Sequence, residues 1–381
     1  MPDRILVLNA GSSSLKFGLY QGLERNSPER VVKGQIEGIS TRPRLRVRDA
    51  AGEIQVDEAL GSAVRDGAGA LASVERWLFA HFDRKALAAV GHRVVHGGQE
   101  YTCPTRVSPD VMRTLRALAP LAPLHQPFNL AAIDAVSGRL PDLPQVACFD
   151  TAFHRGHEPV ADLVPLPREI RDRGVQRYGF HGLSYEHIAS ALPDVAPEIA
   201  AGRVLVAHLG SGASICALRD GRSVDSTLGF TALDGLCMGS RPGALDPGVV
   251  LYLFQALGMS VSEVEDVLYR QSGLRGISGI SNDMRALLGN KDPAARLAVD
   301  YFVFRAAREI GALTAVLGGL DGLVFTAGIG ENAAEIRQRI CEASAWLGIE
   351  LDAEANEMNG PRITTPGSDV SVWVIPTNEE L

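Results

Sequence analysis

The chain has 381 residues, 46% hydrophobic and 22% charged, the balance of an ordinary globular protein large enough for two cores. A net charge of -8 argues against nucleic acid as the main partner, while a small anionic substrate needs only a few local cations. The five cysteines (Cys103, Cys148, Cys216, Cys237, Cys341) are scattered and free of metal-like spacing, which implies reduced thiols in a cytoplasmic protein.

The first apolar run, Ile5 to Leu8, leads straight into a polar loop and reads as a strand, with no signal peptide. Further strands are expected over 15–20, 31–39 and 87–95. Helices follow over 110–119 and 127–138, then a strand over 145–149 that ends at Asp150. The best boundary lies after Asp150-Thr151, giving domains 1–151 and 152–381. In the second, strands 204–208 and 214–218 precede Asp220-Gly221, a tight-hairpin signal before Arg222–Asp225. The clearest helix is 293–318, where Val299, Val303, Ala306, Ile310, Leu313 and Leu317 recur at spacings of four and three. Asp292-Pro293 suits its start and Gly318-Gly319 its end. Residues 310–330 mimic a membrane span, but Asp321 and the paired glycines divide them into a helix end and a buried strand, so no membrane anchor is expected.

One segment occurs twice. Residues 5–20 (ILVLNAGSSSLKFGLY) and 204–219 (VLVAHLGSGASICALR) align without gaps, sharing Leu6/Leu205, Val7/Val206, Gly11/Gly210, Ser12/Ser211 and Leu19/Leu218. Both read strand, Gly/Ser turn, strand. Copies about half a chain apart imply two homologous domains. Small residues at 9–14 let backbone N–H groups and hydroxyls turn towards an anion, and Lys16 projects beside them. A single such loop is no more than a hairpin turn; two at equivalent places imply paired phosphate loops. Neither has the Gly-Lys-Ser/Thr form of a P-loop or the dinucleotide fingerprint.

The chain resembles the acetate kinase family of the acetate and sugar kinase/actin superfamily. The resemblance runs over NAGSSSLKF (9–17), GHRVVHGG (91–98), LAPLHQPFN (121–129), FDTAFH (149–154), RYGFHG (177–182), HLGSGAS (208–214), MGSRPGALDP (238–247), ISNDMR (280–285), FTAGIGEN (325–332) and TNEE (377–380). It implies an α/β fold of duplicated ribonuclease-H-like (actin-like ATPase) domains, with mixed sheets, an interdomain active-site cleft and a homodimer. It implies reversible transfer of the ATP γ-phosphoryl group to acetate, giving acetyl phosphate and ADP, with Mg2+ or Mn2+. A propionate or other short-chain carboxylate kinase is the nearest alternative; a non-catalytic ATP-driven conformational module is another.

Such a transfer brings two anions together, so the protein must supply cations and alignment more than bond chemistry. By resemblance Arg93 and Arg241 flank acetate and the transferred phosphoryl, where a planar, permanently charged fork suits both. His181 donates to phosphoryl oxygens, and Asp150 positions metal and acetate. Val95, Leu124, Phe180 and Ala232 line the methyl pocket, with His125 on the acetate side. Ser14, Lys16, His208, Gly210, Ser211 and Gly212 hold phosphates. Asp283, Met284 and Arg285 lie near the ribose and base, and Gly328, Ile329, Gly330 and Asn332 permit close approach of the nucleotide. Asn9 and Glu379 match the metal site.

Three departures stand out. Ser211 replaces a usual Asn, and Ala232 replaces a Pro beside the methyl pocket. The family also continues past the TNEE block into a terminal helix, whereas this sequence stops at Leu381.

Overall fold

The computed structural model describes residues 2–22, 28–61 and 64–379. It divides into two compact units, Met1–Ala152 with Asn378–Leu381, and Phe153–Thr377. The expected second domain ran to 381; the described residues Asn378 and Glu379 instead group with the first unit.

The first unit is built on an eight-stranded sheet. Its strands are β1 (Arg4–Ala10), β2 (Ser14–Gln21), β3 (Glu29–Glu37), β4 (Arg44–Asp49), β5 (Ile54–Ala59), β6 (Leu87–Val94), β7 (Thr105–Arg106) and β8 (Gln145–Phe149). They lie in the order β5-β4-β3-β2-β1-β6-β8-β7. β1 to β5 form an antiparallel meander, while β6 is parallel to β1 and β8 parallel to β6. Parallel neighbours need crossovers, here the helix Gly67–His81 before β6 and the helices Pro109–Ala117 and Gln126–Arg139 before β8. Leu6, Leu8 and Ala10 alternate with half-exposed neighbours along β1. They bury one face against Leu71, Val74 and Leu78 of the first helix and Val136 of the third. The hairpin β4–β5 was not expected from sequence, because its residues are charged and partly exposed at a sheet edge.

The second unit has five strands, β9 (Arg203–Leu209), β10 (Ala213–Arg219), β11 (Arg222–Ser226), β12 (Gly322–Thr326) and β13 (Ser371–Val374), ordered β11-β10-β9-β12-β13. β12 is buried along its whole length, as a strand covered on both faces must be. One face packs on Tyr185, Ile188 and Leu192 of the helix Gly182–Val195. The helix Pro293–Leu317 packs against β9, β10 and β11. Asp292 caps its start by accepting from Ala294 N at 2.8 Å, and Gly318 ends it at φ 72°. The sequence 310–330 is thus a helix end and a buried strand, as read. No helix of the described residues is long and apolar enough to cross a membrane.

β3-β2-β1-β6-β8 and β11-β10-β9-β12-β13 share one topology: an antiparallel meander with two parallel strands beside its first member. The repeat is therefore architectural, but the gapless alignment fails after the turn. Asn9 pairs with Lys16 across β1–β2, whereas its counterpart His208 pairs with Ser214 across β9–β10. The second hairpin is one residue shorter. Ser214, not Ile215, is the counterpart of Lys16, and the Leu19/Leu218 match is not a structural equivalence.

Candidate active site

In the first unit the carboxyl ends of parallel β6 and β8 lie side by side, with Arg93 paired to Cys148 and Asp150 N donating to Val94 O at 3.1 Å. Chemistry-bearing residues of mixed sheets gather at such strand ends. Arg93 approaches Asp150 with its fork, Nε to Oδ1 at 3.0 Å and Nη2 to Oδ2 at 2.8 Å, while Nη1 donates to Glu379 Oε2 at 2.9 Å. Asp150 is 2% exposed. Burial pushes its carboxyl up, the Arg93 guanidinium pulls it back down, and Glu379 adds to the rise. Asn129 ties two strand ends together, donating to Ala10 O at 2.7 Å and accepting from Val95 N at 3.0 Å. Ser14 O accepts from Gly11 N at 2.8 Å, closing the first Gly/Ser turn. Asn9 is half-buried at the end of β1, and Lys16 is exposed opposite it. Leu124 and His125 are half-buried just before the helix Gln126–Arg139.

Asn9, Asp150 and Glu379 offer oxygen atoms, the donor type a hard divalent cation takes. Asn378, next to Glu379, has a buried Oδ1 with no hydrogen-bond partner among the described residues. This donor set fits Mg2+ or Mn2+. Among the described residues no cluster of three His, Cys, Asp or Glu is present, so these side chains alone would not complete the shell of an ion.

In the second unit three cationic or donor side chains surround the turn 210–212. His181 begins the helix Gly182–Val195 in the left-handed conformation, φ 58°, which a non-glycine residue keeps only when its surroundings hold it there. Its ring stacks on His208 with centroids 4.2 Å apart. A Cβ built on Gly212 would stand 2.7 Å from Arg241 Nη2 and 3.3 Å from His181 Nε2, so both nitrogens converge over this glycine. Arg241 is anchored through Nη1 to Ala232 O at 2.7 Å. Burial pushes its guanidinium down to about 10, which still leaves it charged at neutral pH. His208 Nδ1 bonds Ser184 Oγ at 2.8 Å, and Ser184 Oγ bonds Thr377 Oγ1 at 2.7 Å.

Beside this turn lies a cavity of about 640 Å3 whose walls include Gly210, Ser211, Asp283, Met284, Arg285, Gly328, Ile329 and Asn332, all named from sequence, together with Asn282 and Leu288. Asp283 accepts from Arg285 N at 2.9 Å and pairs with its guanidinium at 2.7 Å. Glu331 Oε1 accepts from Ala327 N at 2.8 Å and from Thr377 N at 3.0 Å, fixing the glycine-rich turn. Gly330 is buried against Phe325 and is not among the cavity-lining residues. Of the expected methyl-pocket residues, Val95 and Leu124 belong to the first unit and Phe180 and Ala232 to the second.

Several functional partners escaped the sequence reading although the quoted blocks contain them: Asn129, His154, Ser214 and Glu331. His154 is fully buried, donating or accepting at Ser223 Oγ (2.8 Å) and meeting Phe180 O at 3.0 Å. A Cβ on Gly179, at φ 72°, would lie 2.5 Å from the His154 ring, so this histidine underpins the turn leading into His181.

The acetokinase family pattern matches residues 4–381. An acetate kinase of Rhodopseudomonas palustris is 54% identical over 387 residues, covering 100% of this chain and 96% of its own. An acetate kinase of Rhizobium meliloti is 53% identical over 380 residues, covering 100% and 96%. Among solved structures, a propionate kinase from Francisella tularensis superposes with TM-score 0.92 at 36% identity, covering 99% of this chain and 97% of that one. The acetate kinase of Porphyromonas gingivalis superposes at 0.87 with 34% identity, covering 99% and 97%.

Proposed function

The chain belongs to the acetokinase family, and from that premise we propose that it is an acetate kinase, transferring the γ-phosphoryl group of ATP reversibly to acetate. A carboxylate oxygen of acetate attacks the γ-phosphorus, an acyl–O–P bond forms, and the bond from phosphorus to the β,γ-bridging oxygen breaks, releasing ADP. Acetate is already ionised at pH 7, so no general base is required. The observation that carries this reading is the convergence of Arg241 Nη2 and His181 Nε2 on Gly212, beside the 640 Å3 cavity. That arrangement supplies two fixed donors where charge spreads over a phosphoryl group.

The nucleotide occupies the cavity, phosphates towards Gly210–Gly212 and adenosine towards Asp283–Arg285. Arg93, held edge-on by Asp150, orients the acetate carboxylate. Asn9 and Glu379 would hold Mg2+ or Mn2+, which would supply positive charge to offset that of the phosphates. Ser14 and Lys16 add donors to the phosphate chain. Val95, Leu124, Phe180 and Ala232 contact the acyl chain, with His125 beside the carboxylate. The protein works in the cytoplasm, a reading supported by five cysteines scattered along the sequence without metal-like spacing.

It works as a homodimer. The helix Pro247–Gln255 buries none of its residues and exposes Val249, Leu251 and Tyr252, an apolar face that a second copy would cover.

Acyl hydroxamate formation with ATP, Mg2+ and acetate tests the activity. Product from the wild type and its loss in Arg241→Ala are expected; folded protein that forms none would overturn the reading. A short-chain acid kinase of broader range is the second reading, favoured by Ala232 in place of the family's Pro.

A further inference from the structure

His181 Nδ1 lies 2.7 Å from Ser214 Oγ, and Ser214 Oγ in turn bonds the Tyr185 hydroxyl. Tyr185 and Ser214 are both fully buried. Among the described residues the Tyr185 hydroxyl has no other hydrogen-bond partner, so it must donate to Ser214 or leave its own proton unpaired in a dry site. Leaving it unpaired forfeits the hydrogen bond that water gives it in the unfolded chain. Tyr185 therefore donates and Ser214 Oγ accepts. The Ser214 proton then has one acceptor in reach, the lone pair of His181 Nδ1. A ring with its Nδ1 protonated breaks this order, since the tyrosine, serine and histidine protons would all crowd one hydroxyl oxygen and the serine proton would have no acceptor.

We infer that Tyr185 and Ser214 are positioning residues that hold His181 as the Nε2–H tautomer, so that this N–H and Arg241 Nη2 face the same point above Gly212. Neither residue touches substrate; they act by deciding whether His181 presents a proton or a lone pair to a phosphoryl oxygen. A lone pair there would repel the oxygen that Arg241 attracts. Ser214 stands opposite His208 on paired strands, at the position that Lys16 occupies in the first hairpin. The hydroxyl at this place is thus what the shorter second turn delivers to the histidine. The kinetic consequence rests on the donor role proposed for His181, whereas the tautomer itself does not.

The test is the long-range 1H–15N spectrum of histidine-labelled full-length protein, with His181 assigned by His181→Gln. The expected wild-type pattern is a protonated Nε2 and a bare Nδ1. Tyr185→Phe and Ser214→Ala move the shifts towards a mixture, and Ser214→Thr keeps them. In the hydroxamate assay Ser214→Ala lowers kcat by about 10- to 100-fold, the usual loss when a partner orienting an active group is removed. KM for acetate and ATP stays within about threefold, and Ser214→Thr recovers most of the rate. A protonated Nδ1 in the wild type, or shifts unmoved in Tyr185→Phe, overturns the inference. Because the spectrum needs no turnover, an inactive wild type with the expected tautomer would support this assignment while removing the proposed activity.

Discussion

Asp150 grips Arg93 through two parallel hydrogen bonds, 3.0 and 2.8 Å long, at the adjoining ends of β6 and β8. The pair is partly buried and leaves the guanidinium one orientation. Replacing Asp150 by Asn turns one acceptor into a donor facing the arginine. Breaking such a pair costs about 3–5 kcal/mol where both charges are buried, and less where one partner reaches solvent. The expected result is a fall in kcat/KM for acetate of about 100- to 1000-fold, on the scale of losing one preorganised donor. Steady-state hydroxamate kinetics check it; Asp150→Asn within a few-fold of wild type would exclude the orienting role.

Gly212 is not among the glycines with positive φ, so alanine there is not strained on that account. Its methyl group would instead meet Arg241 Nη2 at 2.7 Å and His181 Nε2 at 3.3 Å. Gly212→Ala should fold with a near-native Tm but lose about 100-fold in kcat, since displacing an aligned group by about 1 Å carries that penalty. Thermal melts and kinetics together decide it. A large fall in Tm would assign the glycine to folding instead.

Ala232 carries the carbonyl that anchors Arg241, at 2.7 Å. Its side chain is smaller than the proline of the family pattern, while the anchoring carbonyl would survive in either residue. Propionate should therefore be used well, and Ala232→Pro should shift the preference towards acetate. One methylene is worth about 1–3 kcal/mol of discrimination. The ratio of kcat/KM for the two acids reads this directly, and a strong acetate preference in both proteins would sink it.

Two buried histidines give the protein an acid limit. Burial pushes His92 down to about 4 and His154 down to about 3. In the unfolded chain each titrates near its ordinary value of about 6.5. The unfolded state thus binds more protons below that value, and stability falls as pH drops from about 6.5 towards 4. Each histidine contributes a slope of about 1.4 kcal/mol per pH unit in that window. Tm measured from pH 7.5 to 4.5 should decline steadily. His92→Gln should flatten the decline for the first unit, and a pH-independent Tm would contradict the buried neutral state.

The sequence carried the repeat, the long helix and the glycine-rich turns, because those are local patterns of spacing and side-chain size. It did not carry β13, only four residues between irregular segments, or β4 and β5, whose charged residues hide their alternation. The cavity-lining residues were legible as motif blocks. Their supports were not: Asn129 meets Ala10 from 119 positions away, and His154 meets Ser223 from 69. Such bonds depend on which strands become neighbours, and a linear pattern holds no record of that. The gapless alignment misled for a related reason, since identical letters at Leu19 and Leu218 outweighed a one-residue shortening visible only in strand register.

The unequal hairpins also bear on engineering. A chimera in which residues 5–20 replace 204–219 would look conservative, strand for strand and turn for turn. It would bring Lys16 into the place of Ser214 and Asn9 into that of His208. A long flexible cation would then press on His181 in place of a short hydroxyl, and the stacked imidazole would be gone. The two halves of this protein are not exchangeable modules, and a designer who wishes to swap them must keep the shorter second turn and its His208–Ser214 pair.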